Sequence, residues 1–392
     1  MSDPGLPAWA REEAFPLKPG TAPYGTVDGK GKAESFESLH DLKSHLGSGK
    51  GRLAWIWVPE HDRLLAPEEV PEMAGVLKKR RLIFAAEDKA GARKTLPFTG
   101  IFLAYAAYSA WKGAKPLGFE GFQFLVIVTF AFLYFTARPW WESLKGKKAA
   151  GSLDRESLSG EIPEARFDLW MDSQKTFLTV ILIGLVGLVG LTQFFTPGQG
   201  IAEAGLDKAR YALGERWRIF TAAFMHGNVI HFALNASALW YLARRVEIVA
   251  RWPHLATVFF LSIMGAGWAT VSWMPGQTSV GVSGVVCGLL GFLLVFETLH
   301  PPLVPRSARR RLLGILVSLV VIGALGFQFI DNAAHFGGLV TGAVYAGLVF
   351  PKSSSLHRPV ILKRDVFVGG GAMAVVALSA IGAVVVMMMN SK

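Results

Sequence analysis

Two side chains that could form a nucleophile and its general base lie in apolar, glycine-rich stretches. Ser283 lies in the run GVSG at 281–284, and His335 lies in the run AHFGG at 334–338. Small-residue faces let two helices approach closely, and a serine hydroxyl becomes a nucleophile when a base accepts its proton. The two residues therefore indicate a Ser–His pair. The alternative is that the glycines only pack helices and the serine bonds a carbonyl one turn back.

Two further polar residues, His231 and Asn235, lie four apart near the start of another apolar stretch. This spacing places both side chains on one face of a helix. Polar groups inside apolar spans are costly, so their presence points to a function. No metal site is predicted, because the His-Glu-x-x-His pattern is absent and the histidines at 40, 45 and 61 have no cysteine partners.

The elements that carry these residues are predicted membrane spans. The chain has 392 residues, is 52% hydrophobic and 18% charged, and has a mean hydropathy of +0.38. Its apolar residues form long uncharged runs, which excludes a largely disordered chain and an ordinary soluble enzyme. A crossing needs about 20 mostly apolar residues. The predicted spans are 176–196, 229–243, 254–274, 279–297, 312–330, 332–350 and 366–389, preceded by weaker runs at 98–111 and 122–137.

The basic residues orient these spans. With a cytosolic N-terminus, most of the 40 lysines and arginines fall in inside segments, as the positive-inside rule requires. The spans that begin near His231, Ser283 and His335 then all enter from the outside face. At the helical rise, their side chains lie in one outer layer, roughly 3–10 Å below the helix ends. The net charge of +11 therefore records orientation, and no nucleic-acid partner is predicted.

The polar segments divide the chain into five predicted regions. No secretory signal peptide is expected, because the first 95 residues contain no sustained apolar core. The regions are a small cytosolic domain at 1–97 with a strand at 53–58, a crossing or re-entrant helical hairpin at 98–137, a polar cytosolic linker at 138–175, a core of spans at 176–350, and a cytosolic loop with one additional span at 351–392.

Taken in order, these residues resemble the rhomboid family of intramembrane serine proteases. The resemblance covers roughly residues 170–350 and implies an all-α polytopic membrane protein with a rhomboid-like six-helix catalytic core. The N-terminal domain, the hairpin and the C-terminal span are additions to that core. The matching residues are Trp217-Arg218, His226, His231 with Asn235, Gly281 with Ser283, and the run from Ala334 to Gly342.

The resemblance implies a serine endopeptidase that cuts a substrate transmembrane helix in or near its outer end. Ser283 would be the nucleophile and His335 the general base. His231, Asn235 and the Ser283 backbone would bind the oxyanion, and Gly281 would leave room for the substrate backbone. The implied partners are transmembrane proteins and the lipid bilayer, for a multi-pass protein of a bacterial inner membrane with a cytosolic N-terminus. No cofactor is implied, and the oligomeric state is left open.

Several alternatives remain open at this stage. Cys287 stands where many family members carry an aromatic residue beneath the catalytic imidazole, and it is interpreted as a packing residue. Asp331 is interpreted as a helix N-cap rather than a third catalytic residue. Trp217 and Arg218 either anchor the interface or support the outer loop. The competing functions are a catalytically impaired relative that binds membrane helices, and a transporter, which would carry buried charges along its spans.

Overall fold

The computed structural model describes residues 5–28, 31–48, 53–116, 121–196, 200–274, 276, 278–327 and 330–389. The chain separates into two compact units, and each is described by itself. One unit comprises Met1–Ser173 with Ala324–Gln328, and the other comprises Gln174–Gly323 with Phe329–Lys392.

The first unit begins with an antiparallel sheet of order β2-β1-β3, formed by β1 (Tyr24–Asp28), β2 (Ala33–Phe36) and β3 (Leu53–Trp57). The predicted strand at 53–58 is thereby confirmed. Helix α1 (Leu39–Gly47) starts at Ser38, whose hydroxyl accepts a hydrogen bond from the Asp41 N–H. A small apolar core lies beneath these elements, made by Leu42, Leu46, Ile56, Val58, Leu65, Val70, Met73, Leu77, Leu153 and Leu158.

A long helical hairpin follows. Helix α2 (Ala74–Trp111) packs against α3 (Gly121–Phe132), a π-helical turn (Leu133–Ala137) and α4 (Arg138–Gly151). Four small residues of α2 are buried seven positions apart, which is the spacing of a close-packed helical seam; they are Ala85, Ala92, Thr99 and Ala106. The predicted boundary at 97/98 falls inside α2, because this seam continues from the charged half of the helix into its apolar half.

The segment predicted as a polar linker, residues 138–175, is largely helical. After α4 come α5 (Arg155–Ser159) and α6 (Ile162–Ser173). Asp154 caps α5 by accepting from the Ser157 N–H at 2.8 Å. Two buried aromatic residues, Phe167 and Trp170, fix the face of α6, which explains why a sequence rich in polar residues is nevertheless ordered.

The second unit is an all-helical bundle. Its helices are α7 (Phe177–Phe195), α8 (Gly200–Ala204), α9 (Lys208–Ala212), α10 (Arg218–Ala222), α11 (Val229–Ala250), α12 (Trp252–Trp273), α13 (Ser283–Leu299), α14 (Arg306–Leu325), α15 (Asn332–Val349) and α16 (Lys363–Met389). Many large apolar side chains of α7 and α16, such as Phe194 and Phe367, face outward, as expected for helices in contact with lipid.

Four helices among the described residues are long and apolar enough to cross a membrane by length and composition: Phe124–Gly151, α7, α12 and α16. Helix α13 is apolar but has only 17 residues. Helix α14 starts six residues before the predicted span at 312, because the arginines of its first turns are helical too. The remaining predicted crossings stay predictions.

Glycines bring α13 and α15 into backbone contact. A Cβ placed on Gly338 would collide with the carbonyl oxygen of Gly284, and one on Gly342 would collide with that of Gly288. Only glycine permits such an approach. The helices that begin at Ser283 and just before His335 are therefore fixed against each other along this seam.

The opposite end of the bundle contains a buried ion pair that the sequence did not reveal. Arg245 donates to Glu297 through two nitrogen–oxygen contacts of 2.6 and 2.9 Å, and the two side chains are 2% and 1% exposed. Glu247 accepts hydrogen bonds from the backbone N–H groups of Leu178 and Thr179 at 3.0 and 2.8 Å. Helix α11 extends past the predicted end at 243, and its charged residues Arg245 and Glu247 both find partners there.

Candidate active site

Helix α13 begins at Ser283, and the predicted span start at 279 is wrong. The segment from Ser279 to Gly281 is not helical, because its backbone groups are bonded elsewhere. Ser279 exchanges two backbone hydrogen bonds with Leu206, of 3.0 and 3.1 Å, and the Gly281 N–H donates to the Ala222 carbonyl at 2.9 Å. Gly281 has φ +119, a conformation that glycine adopts without strain. Ser283 therefore stands on the first turn of its helix, directly after a sharp change of chain direction.

The structure brings His231 and Asn235 together beside Gly281. A Cβ built on Gly281 would lie 2.9 Å from His231 Cε1, 3.1 Å from His231 Nε2 and 3.6 Å from Asn235 Nδ2. Both side chains project from α11 toward the backbone that leads into Ser283. Gly281 is thus required for space as well as for its backbone conformation.

The orientation of His231 is set by its own helix start. Asn228, which the sequence analysis missed, caps α11 by accepting from the His231 N–H at 2.8 Å. The His231 Nδ1 accepts from the Gly227 N–H at 3.4 Å. An Nδ1 that accepts leaves the proton of the neutral ring on Nε2, which is the nitrogen beside Gly281. The cap could have been found from the sequence, because asparagine directly before the first apolar residue of a helical run is a start signal.

Asn235 carries a buried donor that has no acceptor among the described residues. Its side chain is 6% exposed, and within the described part of the chain its Nδ2 has no hydrogen-bond partner. Buried amides are nearly always paired, and an unpaired one costs about 1–3 kcal/mol. Such an orphan donor next to a candidate nucleophile points to an acceptor that arrives with a ligand.

His226 lies behind this pair, in the loop between α10 and α11. Its ring makes an edge-to-face contact with the His231 ring, with centroids 5.3 Å apart. Its Nδ1 contacts the Phe224 carbonyl at 3.1 Å. Burial, reinforced by the neighbouring His231, lowers the pKa of His226 to about 4. The ring is neutral at physiological pH, and Gln193, also missed by the sequence analysis, accepts from its backbone N–H at 2.9 Å.

His335 lies in the first turn of α15. Asp331 caps this helix by accepting from the Ala334 N–H at 2.9 Å, which confirms its interpretation as an N-cap. A Cβ on Gly284 would lie 3.2 Å from the Ala334 carbonyl oxygen, so the residues next to Ser283 and His335 touch. Among the described side chains, however, Ser283 and His335 are not joined by a hydrogen bond. Catalytic hydrogen bonds are often long without substrate and tighten when it binds.

Cys287 lies one turn after Ser283 in the interior of the bundle. It is 1% exposed and carries no disulfide, so it packs as a small apolar side chain. Its position beneath the His335 ring stays a prediction.

Arg218 is buried and ties α10 to the segment around α8. Its guanidinium is 1% exposed and donates to the carbonyls of Ala202, Glu203 and Gly205 at 3.2, 2.8 and 2.8 Å. Five donors in a planar fork suit this cluster of carbonyls. Helix α8 and the residue that follows it are thereby held against α10, the short helix that also supplies the acceptor for Gly281.

A small cavity opens on the other side of Ser283. Its volume is about 40 Å³, and Ser283, Ser279, Thr270 and Asp331 are among its lining residues. An ordered water needs about 10–15 Å³ on this measure, so the space is large enough for water. Ser283 therefore borders a cavity that polar side chains also line.

Comparison with known proteins places this site within a recognised domain. Residues 213–352 match the family model of the Rhomboid domain. The chain is 29% identical over 163 residues to Rhomboid protease GluP of Bacillus subtilis (strain 168), covering 40% of this chain and 31% of that protein. It is 34% identical over 136 residues to Rhomboid protease GlpG of Pectobacterium atrosepticum, covering 33% and 47%. It is also 30% identical over 137 residues to Inactive rhomboid protein 2 of Homo sapiens, covering 34% and 16%. The chain thus matches less than half the length of each of these relatives.

Proposed function

Since the chain belongs to the rhomboid family of membrane proteins, we propose that it is an intramembrane serine endopeptidase with Ser283 as nucleophile and His335 as general base. The observation that carries the proposal is the buried, unpaired Nδ2 of Asn235 beside Gly281. A protein that only packs helices has no use for such a donor, whereas acyl transfer requires one where negative charge develops.

The reaction follows from the positions of these groups. The Ser283 oxygen attacks the scissile carbonyl carbon while its proton passes to His335. When the C–N bond breaks, His335 gives that proton to the leaving amine, and an acyl ester remains on Ser283. Water then attacks the ester with His335 again as base, which releases the new carboxyl end and restores the serine.

The oxyanion is stabilised from two directions. Asn235 Nδ2 and His231 Nε2 approach from α11, and the Ser283 N–H lies at the start of α13, where backbone donors are free and the helix dipole favours negative charge. Removal of one such donor typically costs about 2.7–4 kcal/mol in the transition state.

The proposed substrate is a transmembrane segment of another protein. Ser283 and His335 both lie in the first turns of their helices, so the site is at one end of the bundle rather than at its middle. With the N-terminus in the cytosol of a bacterial cell, this is the outer end. A substrate helix must unwind before its carbonyl can be attacked, so cut sites are expected at helix-breaking residues.

Labelling with a fluorophosphonate tests the nucleophile without knowledge of the natural substrate. Full-length protein in liposomes should be labelled, and Ser283→Ala should not be. Ser283→Ala and His335→Ala should each abolish cleavage of a reporter transmembrane substrate. Labelling that persists in Ser283→Ala would refute Ser283 as nucleophile.

A second candidate function is binding of membrane helices without cleavage. It is favoured by the relatives named as inactive rhomboid proteins and by the absence of a hydrogen bond between the described side chains of Ser283 and His335. It predicts a folded protein that is not labelled but still captures a transmembrane helix. Both serine and histidine are present, which favours the enzyme.

A further inference from the structure

We propose that Lys208, Ser279, Thr270 and Asp331 form a positioning cluster that holds the segment before Ser283 and the first turn of α15 in one arrangement. Lys208 and Asp331 are then positioning residues for the dyad, although neither touches the substrate. This inference rests on the proposed function and extends it to the outer loop.

Asp331 is the centre of the cluster. One of its carboxylate oxygens accepts from the Ala334 N–H, one residue before His335. The other accepts from the hydroxyls of Thr270 and Ser279. Since the His335 N–H also donates to the Asp331 carbonyl at 3.1 Å, the position of Asp331 determines the position of the whole first turn of α15.

Ser279 connects this carboxylate to the nucleophile segment. Its backbone is paired with Leu206, and Gly281 is tied to Ala222 two residues later, so little freedom remains between Ser279 and Ser283. The Ser279 hydroxyl donates to Asp331, and its oxygen accepts from Lys208 Nζ at 2.7 Å. One hydroxyl thereby bridges a cation of the outer loop and an anion of the histidine helix.

The charges make the bridge more than a packing contact. Lys208 is 6% exposed, and a buried lysine needs a compensating partner. Burial lowers the pKa of Lys208, while the negative charges of Asp331 and Asp207 oppose this. Thr270, 1% exposed, donates from α12, so the cluster joins the outer loop, α12, the Ser283 segment and α15. Charge-assisted hydrogen bonds of this kind are roughly twice as strong as neutral ones.

Two variants each remove one charged group of the cluster. Lys208→Met removes the ammonium but keeps most of the apolar stem. Asp331→Asn keeps an oxygen that can cap α15, but its amide nitrogen cannot accept from both hydroxyls. Arg210→Met is the matched control, because Arg210 is a partly exposed cation of the same short helix outside the cluster. Lys208→Arg is the conservative variant and should recover most of the activity.

The assays are steady-state cleavage of a transmembrane reporter in liposomes and hydrogen exchange of the full-length protein. We expect Lys208→Met and Asp331→Asn to lower kcat by about tenfold to hundredfold, the scale of a misplaced catalytic group, with KM changed less than about twofold. Backbone amides of residues 279–281 and 334–335 should exchange faster than in wild type in both variants. In Arg210→Met they should exchange at the wild-type rate.

The outcomes separate the two proposals. Unchanged kcat, or equal losses in Arg210→Met, would overturn the positioning role, as would unchanged exchange at these amides. If the wild-type protein is neither labelled nor active while both variants lose protection, the cluster is supported as a structural connection and the proposed protease function is overturned.

Discussion

Gly281→Ala places one methyl group at the most constrained point of the site. The backbone there has φ +119, which L-residues rarely adopt, and the new Cβ would lie 2.9 Å from His231 Cε1. Real Cβ atoms are not found this close, so the imidazole must move away from the Ser283 segment. The backbone at Gly281 cannot move away instead, because its N–H is bonded to the Ala222 carbonyl at 2.9 Å.

The magnitude follows from two separate terms. A non-glycine residue in such a conformation costs about 1–3 kcal/mol of folding free energy. Displacement of His231 removes one donor from the oxyanion, which is worth about 2.7–4 kcal/mol in the transition state, or roughly 10²- to 10³-fold in kcat. The fall in activity should therefore exceed what the loss of stability explains, since a protein destabilised by a few kcal/mol remains mostly folded.

Cleavage rate and thermal unfolding in the same detergent measure the two terms. Gly276→Ala is the matched control, because Gly276 lies in the same loop and a Cβ there meets nothing within 4 Å. We expect the control to behave as wild type. An active Gly281→Ala, within about threefold of wild type, would refute the reasoning that His231 and Gly281 share one tightly packed site, because 0.7 kcal/mol or less is roughly all that such a change represents.

The remaining predictions concern single groups. Asn235→Ala should lower kcat by roughly 10²- to 10³-fold with little change in unfolding temperature, because its Nδ2 bonds nothing in the described structure; a large loss of stability would contradict this. Arg245→Met should destabilise the fold by about 3–5 kcal/mol by leaving Glu297 buried and unpaired, and pairing it with Glu297→Leu should restore much of the unfolding temperature. His226 holds its proton less tightly when folded, with a pKa of about 4 against 6.5, so its contribution to stability is complete above pH 6.5 and falls by roughly 3 kcal/mol as the pH drops toward 4. His226→Gln should flatten that part of the pH profile of unfolding.

Some features of the candidate site depend only on local patterns in the sequence. The spacing of His231 and Asn235 places them on one helical face. Because Gly281 has no side chain, both can lie close to its backbone. These are short-range features, and they transfer directly from sequence to structure. The cap at Asp331 is of the same kind, because the Ala334 N–H that donates to it lies only three residues further along the chain.

What the sequence could not foresee depends on residues far apart in the chain. An apolar run beginning at Ser279 looks like the start of a span, yet Ser279 is paired with Leu206, and the helix begins only at Ser283. Lys208 and Ser279 are 71 residues apart, so nothing local marks Lys208 as part of the site. Hydropathy likewise predicts that apolar spans end near the charged residues Arg245 and Glu297, although these two side chains form an ion pair inside the bundle.

The buried contacts of α11 also have a consequence for how the protein is made. Leu178 and Glu247 are separated by 69 residues, and Arg245 and Glu297 by 52. Since the chain is synthesised from its N-terminus, α7 leaves the ribosome with uncapped backbone donors, and α11 follows with an arginine that has no counter-charge until the last turns of α13 emerge. A nascent chain halted between α11 and α13 therefore carries an unpaired cation among apolar helices. The Arg245–Glu297 pair can therefore form only after α11, α12 and most of α13 have been synthesised.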